Sequence, residues 1–98
     1  MLNIELKKSN LKNKRYMVLI NNKKIHFGDS RYQNYTMHKD NERRRLYILR
    51  HKKNEDWNLK GINTAGFWSY WLLWHKKKLD DSIKYLNKKF KINIIKNI

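Results

Sequence analysis

The fold is decided by one stretch of sequence, Thr64-Ala-Gly-Phe-Trp-Ser-Tyr-Trp-Leu-Leu-Trp74. It holds three of the four tryptophans, and Phe67, Trp71 and Trp74 recur at helical spacing. The spacing predicts a helix over residues 65–74, and the threonine that precedes it is a suitable N-cap. Such an apolar helix is expected to lie in a core or an interface. We favour core packing over base stacking or intercalation, because the chain has few other large side chains.

The rest of the chain is strongly basic. It carries 24 Lys+Arg against 8 Asp+Glu, a formal charge of +16 on 98 residues. The excess is +5 over residues 1–30, +5 over residues 31–60 and +6 over residues 61–98. Positive charge that is spread over the whole chain repels itself and opposes folding unless a polyanion neutralises it. The composition therefore predicts a folded protein that binds a polyanion.

Composition also excludes several classes of protein. Cysteine is absent, so disulfides, thiolate metal sites and cysteine nucleophiles are excluded. No apolar run approaches 18 residues, and the N-terminus is too polar for a signal peptide, so we expect neither a membrane partner nor secretion. The length suits one domain. We expect it over residues 15–90, with residues 1–14 as a basic arm or short strand and residues 91–98 as a tail or short strand.

The first half predicts a β-hairpin. Two apolar runs, Tyr16–Ile20 and Lys23–Gly28, flank Asn21-Asn22, and Asn tolerates the positive φ that tight hairpin turns require. One face of this hairpin would carry Tyr16, Val18, Ile20, Ile25 and Phe27. Residues 31–39 favour neither helix nor strand.

Two further helices complete the predicted fold. Asp40 is a suitable N-cap for a helix from Asn41 to about Lys53. Its buried stripe would be Leu46, Tyr47 and Leu49. A third helix opens at Asp80-Asp81, and its apolar face would be Leu79, Ile83, Leu86 and Phe90. The expected class is α+β: an N-terminal β-hairpin followed by three short helices around a Trp-rich core. The aromatic side chains expected at the surface are Trp57, Tyr32 and Tyr35.

Several short motifs, taken together, resemble a known group of proteins. They are Tyr16-Met-Val18, Ile25-His-Phe-Gly28, Tyr35-Thr-Met-His-Lys-Asp40, Glu42-Arg43, Tyr47-Ile48, Arg50-His51, Glu55-Asp-Trp57, Thr64-Ala-Gly-Phe-Trp-Ser69 and Trp71-Leu-Leu-Trp74. Over residues 15–90 the chain resembles a family of small basic proteins encoded by giant viruses, the nucleocytoplasmic large DNA viruses. It departs from that family at Arg31, where Gly is frequent, and at Lys77-Lys78, where Pro-Thr is frequent. The resemblance implies a viral protein of the virion, the viral factory or the host nucleus, and it brings no catalytic mechanism.

The predicted binding residues are basic side chains centred on the second predicted element. Three consecutive arginines on a helix point in different directions, and guanidinium groups suit phosphate oxygens. The predicted nucleic-acid-binding set is Arg31, Lys39, Arg43, Arg44, Arg45, Arg50, Lys52, Lys53, Lys76, Lys77 and Lys78. The alternative is a solvated helix face on which Glu42 pairs with Arg45. We expect the three arginines to be dispensable for thermal stability.

No catalytic, metal or cofactor site is predicted. The four histidines, His26, His38, His51 and His75, have no metal-ligand spacing. His51 and His75 fall at predicted helix ends, where a cation is favourable.

The expected function is binding to nucleic acid without sequence preference, with double-stranded DNA preferred over RNA. Its role would be architectural, in viral genome condensation or packaging. The alternative is a structural virion protein, a minor capsid or core component whose Trp-rich helix anchors a protein partner. A nucleic-acid-processing enzyme is a third and less favoured interpretation. Self-association is left open.

Overall fold

The computed structural model describes all 98 residues. The elements are β1 (Leu2–Lys8), β2 (Lys14–Ile20), β3 (Lys23–Asp29), α1 (Tyr35–His38), α2 (Asn41–His51), a 3₁₀ turn (Leu59–Gly61), α3 (Ala65–Trp68), a π-helical continuation (Ser69–Trp74), α4 (Leu79–Phe90) and β4 (Ile92–Asn97). The predicted α+β class is confirmed.

The strands form one mixed sheet in the order β3-β2-β1-β4. β1 and β2 are antiparallel, as are β2 and β3, whereas β4 lies parallel to β1. Both chain ends therefore belong to the sheet. The first segment is a strand rather than a free arm, and the last segment returns to pair with it.

The predicted hairpin is confirmed in its turn and in its register. Asn21 and Asn22 have positive φ angles of 48° and 68°. The pairing of Tyr16 with Phe27 and of Val18 with Ile25 places their side chains on one face. Because side chains alternate along a strand, this register fixes which face of the hairpin is apolar.

The core lies between this face of the sheet and the helices. Its fully buried members include Phe67, Trp68 and Leu72 from the Trp-rich stretch. The indole of Trp68 donates to the carbonyl of Ile62 at 2.7 Å, so its polar atom is satisfied in the interior. Trp68 and Trp71 thus belong to the core, as the spacing predicts.

The Trp-rich helix changes form halfway along its length. Its N-cap is Thr64, whose hydroxyl accepts from the N–H of Phe67 at 3.3 Å. From Ser69 onward the backbone is π-helical, which adds a residue to each hydrogen-bonded turn and rotates later side chains. Trp71 therefore stays in the core, whereas Trp74 is only half-buried and leaves the expected line of side chains.

The predicted buried stripe of α2 is wrong at two of its three positions. Tyr47 is the one buried side chain of this helix, whereas Leu46 and Leu49 are 45% and 55% exposed. The helix meets the body along a narrow face, on which Tyr47 is buried and Arg44 and Ile48 are half-buried. It ends at His51, two residues earlier than expected.

Two aromatic side chains expected at the surface are not exposed. Trp57 is half-buried and stacks on Tyr70 with ring centroids 4.0 Å apart. Tyr35 is 5% exposed and donates its hydroxyl to the side chain of Asn41 at 2.5 Å. Each has a ring or a polar partner contributed by tertiary packing. Tyr32 is 67% exposed, as expected.

The last helix, α4, starts at Leu79, one residue before the expected position. Ile83 and Leu86 are buried on its inner face, with Leu79 and Phe90 packed against the core, which confirms the predicted stripe. No helix of the protein has the length and apolar character needed to cross a bilayer.

Candidate nucleic-acid interface

Cationic side chains dominate the surface and have few acidic partners. Of the 24 Lys and Arg residues, 22 are exposed, and only Arg15 and Arg44 are half-buried. Three of the 24, Arg31, Arg45 and Lys96, form ion pairs with carboxylates, which leaves 21 without one. Most of the positive charge is therefore free to meet an external anion.

The largest concavity, which we call the cleft, has a volume of about 920 Å³. One wall is α2, which contributes Arg43, Leu46 and Arg50. The opposite wall contains Lys14 from β2 and Tyr32 from the loop after β3. The floor includes residues of α3 and its π-helical continuation. The two walls come from distant parts of the chain.

The wall formed by α2 is fixed at its N-terminus and at its centre. The carboxylate of Asp40 caps the helix by accepting from the N–H groups of Glu42 and Arg43, at 2.9 and 3.3 Å. At the centre, the ring of Tyr47 stacks on Trp74 with centroids 4.2 Å apart and planes 6° apart. These contacts hold the cationic side chains of α2 beside the cleft.

Tyr47 also occupies the floor of the cleft. Its other face stacks on His51 at 4.2 Å, and its hydroxyl donates to the Oγ of Ser69 at 3.2 Å. Burial raises the pKa of Tyr47 to about 12. The phenol therefore keeps its hydrogen-bonding proton well above physiological pH.

Both carboxylates that line the cleft already have partners. Asp29 accepts from the guanidinium of Arg31 at 2.8 and 3.0 Å, and these hydrogen bonds lower the pKa of Asp29 to about 2. Glu55 accepts from the indole N–H of Trp57 at 3.2 Å and lies 3.4 Å from Nδ1 of His51. The unpaired charges of the cleft are consequently positive.

Glycine brings the carboxylate of Glu55 close to the start of α3. A Cβ on Gly66 would stand 2.5 Å from the carboxyl carbon of Glu55, which is closer than atoms can approach. The carboxylate thus packs directly on backbone in the first turn of that helix. This contact keeps Glu55 against the floor of the cleft, beside His51.

Among the predicted binding residues, the structure brings two together in the cleft, Arg43 and Arg50. Neither forms an ion pair with a carboxylate. Arg43 donates weakly to the side-chain oxygen of Gln33 at 3.5 Å, across to the loop on the opposite wall. Both guanidinium groups therefore lack a carboxylate partner and remain accessible from the cleft.

Arg44 has a structural contact instead. Its Nε donates to the carbonyls of Trp74 and His75 at 2.8 and 3.3 Å, where the π-helical segment ends. Its guanidinium carbon also lies 5.6 Å from the ring centroid of Tyr35. The side chain is half-buried and bridges α2, α1 and the Trp-rich segment.

Three other predicted binding residues also have intramolecular partners. Arg31 pairs with Asp29, and Arg45 pairs with Glu42 at 2.5 Å, which is the pairing that the solvated-face alternative requires. Lys39 ends α1 with a φ of 56° and donates from Nζ to the carbonyl of Thr36 at 2.9 Å. Exposed contacts of this kind are weak and can exchange for a phosphate.

The remaining lysines lie apart from the cleft. Lys52 and Lys53 are exposed beyond the end of α2, and residues 76–78 are exposed before α4. Nζ of Lys76 lies 5.0 Å from the ring centroid of Tyr85. The sequence does not show which basic residues lie in the cleft and which lie outside it, because all of them fall in similar short basic runs.

His75 is neutral, contrary to the expectation of a favourable cation at a helix end. Burial, with the nearby charges of Lys76, Arg44 and Lys89, lowers the pKa of His75 to about 4. Burial and the charge of Arg43 lower the pKa of His38 as well. Desolvation and cationic neighbours outweigh the helix-end effect at His75.

Lys14 is the cleft residue that the sequence reasoning missed. Its position follows from the hairpin register, since Lys14 pairs with Asp29 when Ile20 pairs with Lys23. The asparagine turn predicts that register, so this signal was available. Which helix would face Lys14 was not predictable, because it depends on tertiary packing.

No group of three or more His, Asp or Glu side chains is arranged to hold a metal ion. The described geometry is that of a cationic surface with one cleft.

Comparison with known protein families gives a match to part of the chain. Residues 4–51 match a family of unknown function, DUF5754. No curated protein and no solved structure matches the chain. The matched span covers β1 from its third residue, β2, β3, α1 and α2, and therefore the walls of the cleft but not the Trp-rich stretch.

Proposed function

We propose that this protein binds nucleic acid without sequence preference, through the phosphate backbone, and that double-stranded DNA is its main partner. One observation carries the proposal: 21 of its 24 cationic side chains have no carboxylate partner. Binding would release the counterions that screen the phosphates, which is the main source of affinity in such complexes.

The dimensions of the protein suit one turn of duplex. Its principal extents are 35 × 29 × 25 Å, and a turn of B-DNA is roughly 34–36 Å long. A duplex carries one phosphate charge per roughly 1.7 Å of axis, or about 20 over that length. A protein on one side reaches a fraction of them, so we expect about six to ten phosphate contacts, from Arg43, Arg50 and the exposed lysines.

The biological role follows from the resemblance to giant-virus proteins. In that setting the protein would condense or package viral DNA in the virion, the viral factory or the host nucleus. The rival role, a minor capsid or core component, requires the Trp-rich helix to anchor a partner. Its largest side chains are buried within the chain, since Trp68 is 0% and Trp71 7% exposed, which favours the nucleic-acid role.

A salt titration tests the proposal. With six to ten phosphate contacts, the affinity for a short duplex should fall by roughly 10³- to 10⁵-fold between 50 and 200 mM salt. Gel shift or fluorescence anisotropy on duplexes of unrelated sequence measures this directly. A binding constant that barely changes over the range, or one that differs widely between sequences, would exclude the proposed mode.

The role of the cleft cations is tested with a matched substitution on the same helix. The double variant Arg43→Gln/Arg50→Gln should reduce the slope of log K against log salt by about two. The single variant Arg45→Gln should change the slope less than Arg43→Gln or Arg50→Gln does alone, because Glu42 already neutralises the Arg45 side chain. Equal effects at all three positions would contradict the assignment of Arg43 and Arg50 to the interface.

A further inference from the structure

The cleft differs from the rest of the basic surface because apolar surface lies between its cations. Leu46 is 45% exposed and Tyr32 is 67% exposed, and both line the cleft. Arg43 and Arg50 lie on the same wall as Leu46. A surface that met only phosphate would have no need for an exposed leucine and an exposed tyrosine among its cations.

The spacing along α2 is regular. Arg43 and Arg50 are seven residues apart, two helical turns or roughly 10.5 Å along the axis, with Leu46 between them. Lys14 supplies a third cation from the opposite wall. Positive charges therefore lie on both walls of the cleft, which also carry an exposed aliphatic and an exposed aromatic side chain.

This combination matches the chemistry of an unpaired nucleotide. Proteins that bind single strands without sequence preference combine a positively charged groove with aromatic side chains on which bases stack. The volume of about 920 Å³ falls within the range of roughly 300–1,000 Å³ that accommodates small organic ligands. The bases of an intact duplex stay stacked inside the helix and could not reach Tyr32.

The geometry points to the cleft as a site for one unpaired nucleotide of a nucleic-acid strand. Its base would lie against Tyr32 and Leu46, and the adjoining phosphates would meet Arg43, Arg50 and Lys14. This inference rests on the proposed nucleic-acid function and adds a preference for single-stranded segments, gaps or frayed ends. An intact duplex contacts the protein through its phosphates alone, whereas an unpaired nucleotide also places its base in the cleft.

The test compares three fluorescent probes of about 20 nucleotides by anisotropy at 50 mM salt: oligo-dT, a duplex, and an abasic strand that keeps its phosphates. Tyr32→Ala should weaken oligo-dT binding by roughly 5- to 150-fold, the range for loss of one stacked base. Its affinity for the duplex and for the abasic strand should stay within about twofold. Tyr32→Phe, which keeps the ring, should bind oligo-dT like the wild type.

A second pair of variants separates the cleft from general surface effects. Leu46→Ala should weaken oligo-dT binding, whereas Leu49→Ala, an exposed leucine of the same helix that does not line the cleft, should not. Tyr32, Leu46 and Leu49 are all exposed, so the four variants should fold, which thermal melting verifies.

Two outcomes would overturn the inference, and they differ in meaning. If the wild type binds all three probes but Tyr32→Ala and Leu46→Ala leave oligo-dT affinity unchanged, the cleft is not a nucleotide site and the proposed function stands. If the wild type binds neither oligo-dT nor duplex, the proposed function itself fails.

Discussion

Replacing Arg44 by glutamine should destabilise the protein, although the sequence places this residue in the middle of a basic run. Its Nε donates to the carbonyls of Trp74 and His75, at 2.8 and 3.3 Å. A hydrogen bond from a charged donor contributes about 1.5–3 kcal/mol, and loss of the donor leaves carbonyls unsatisfied at the end of the π-helical segment. We therefore expect the free energy of unfolding to fall by about 1.5–3 kcal/mol.

Thermal melting by circular dichroism measures this loss. In a domain of this size 1 kcal/mol corresponds to roughly 4–8 °C, so the melting temperature should drop by roughly 6–24 °C. The matched control is Arg43→Gln on the same helix, which removes the same charge from an exposed position and should stay within about 0.5 kcal/mol of the wild type. Arg44→Lys keeps the charge but not the geometry of the guanidinium, and its melting temperature should lie between those of Arg44→Gln and Arg43→Gln.

DNA binding should distinguish the same two arginines with the effects reversed: the substitution that leaves stability unchanged should weaken binding. Arg43→Gln should lower the salt slope by about one, whereas Arg44→Gln, once corrected for any unfolded fraction, should leave the slope unchanged. If Arg44→Gln melted like the wild type and lost as much DNA affinity as Arg43→Gln, its carbonyl contacts would not be structural. All three arginines would then be equivalent surface cations.

Two further predictions concern the core and pH. Trp71→Ala should reduce the free energy of unfolding by about 3–5 kcal/mol in urea denaturation, since the indole is 7% exposed, and a loss below 1 kcal/mol would place this ring outside the core. The folded-state pKa of His75, about 4, lies below its ordinary 6.5, so the unfolded state binds more protons between these values. The free energy of unfolding should therefore fall as the pH drops from about 6.5 to about 4. His75→Asn should flatten that decline. An unchanged pH profile in the variant would assign the decline to other groups.

Local patterns were sufficient for much of the fold. The asparagine turn, the alternation of Tyr16, Val18 and Ile20, and the capping residues Asp40 and Thr64 all act within a few positions of the chain. Each is confirmed in the structure. Their energetics depend on near neighbours, which the sequence displays directly.

The errors fall where contacts link distant segments. Leu46 and Leu49 have the spacing of a buried stripe, yet α2 buries only Tyr47, because the helix docks through the face that carries Tyr47 and Arg44. Trp57 is surrounded by polar residues in sequence but stacks on Tyr70. Periodicity shows which side chains share a face, but it does not show whether another element covers that face.

The candidate site, too, was predictable from the sequence only in part. The sequence by itself determined that this protein is a folded polycation with a tryptophan core, since composition fixes the charge and helical spacing fixes the apolar stretch. Only the tertiary structure decided that Arg43 and Arg50 border a cleft with Lys14, while Arg44 between them is tied to the backbone of Trp74 and His75. Neighbouring arginines on a helix point about 100° apart, so the partner that each one meets depends on how the helix is docked.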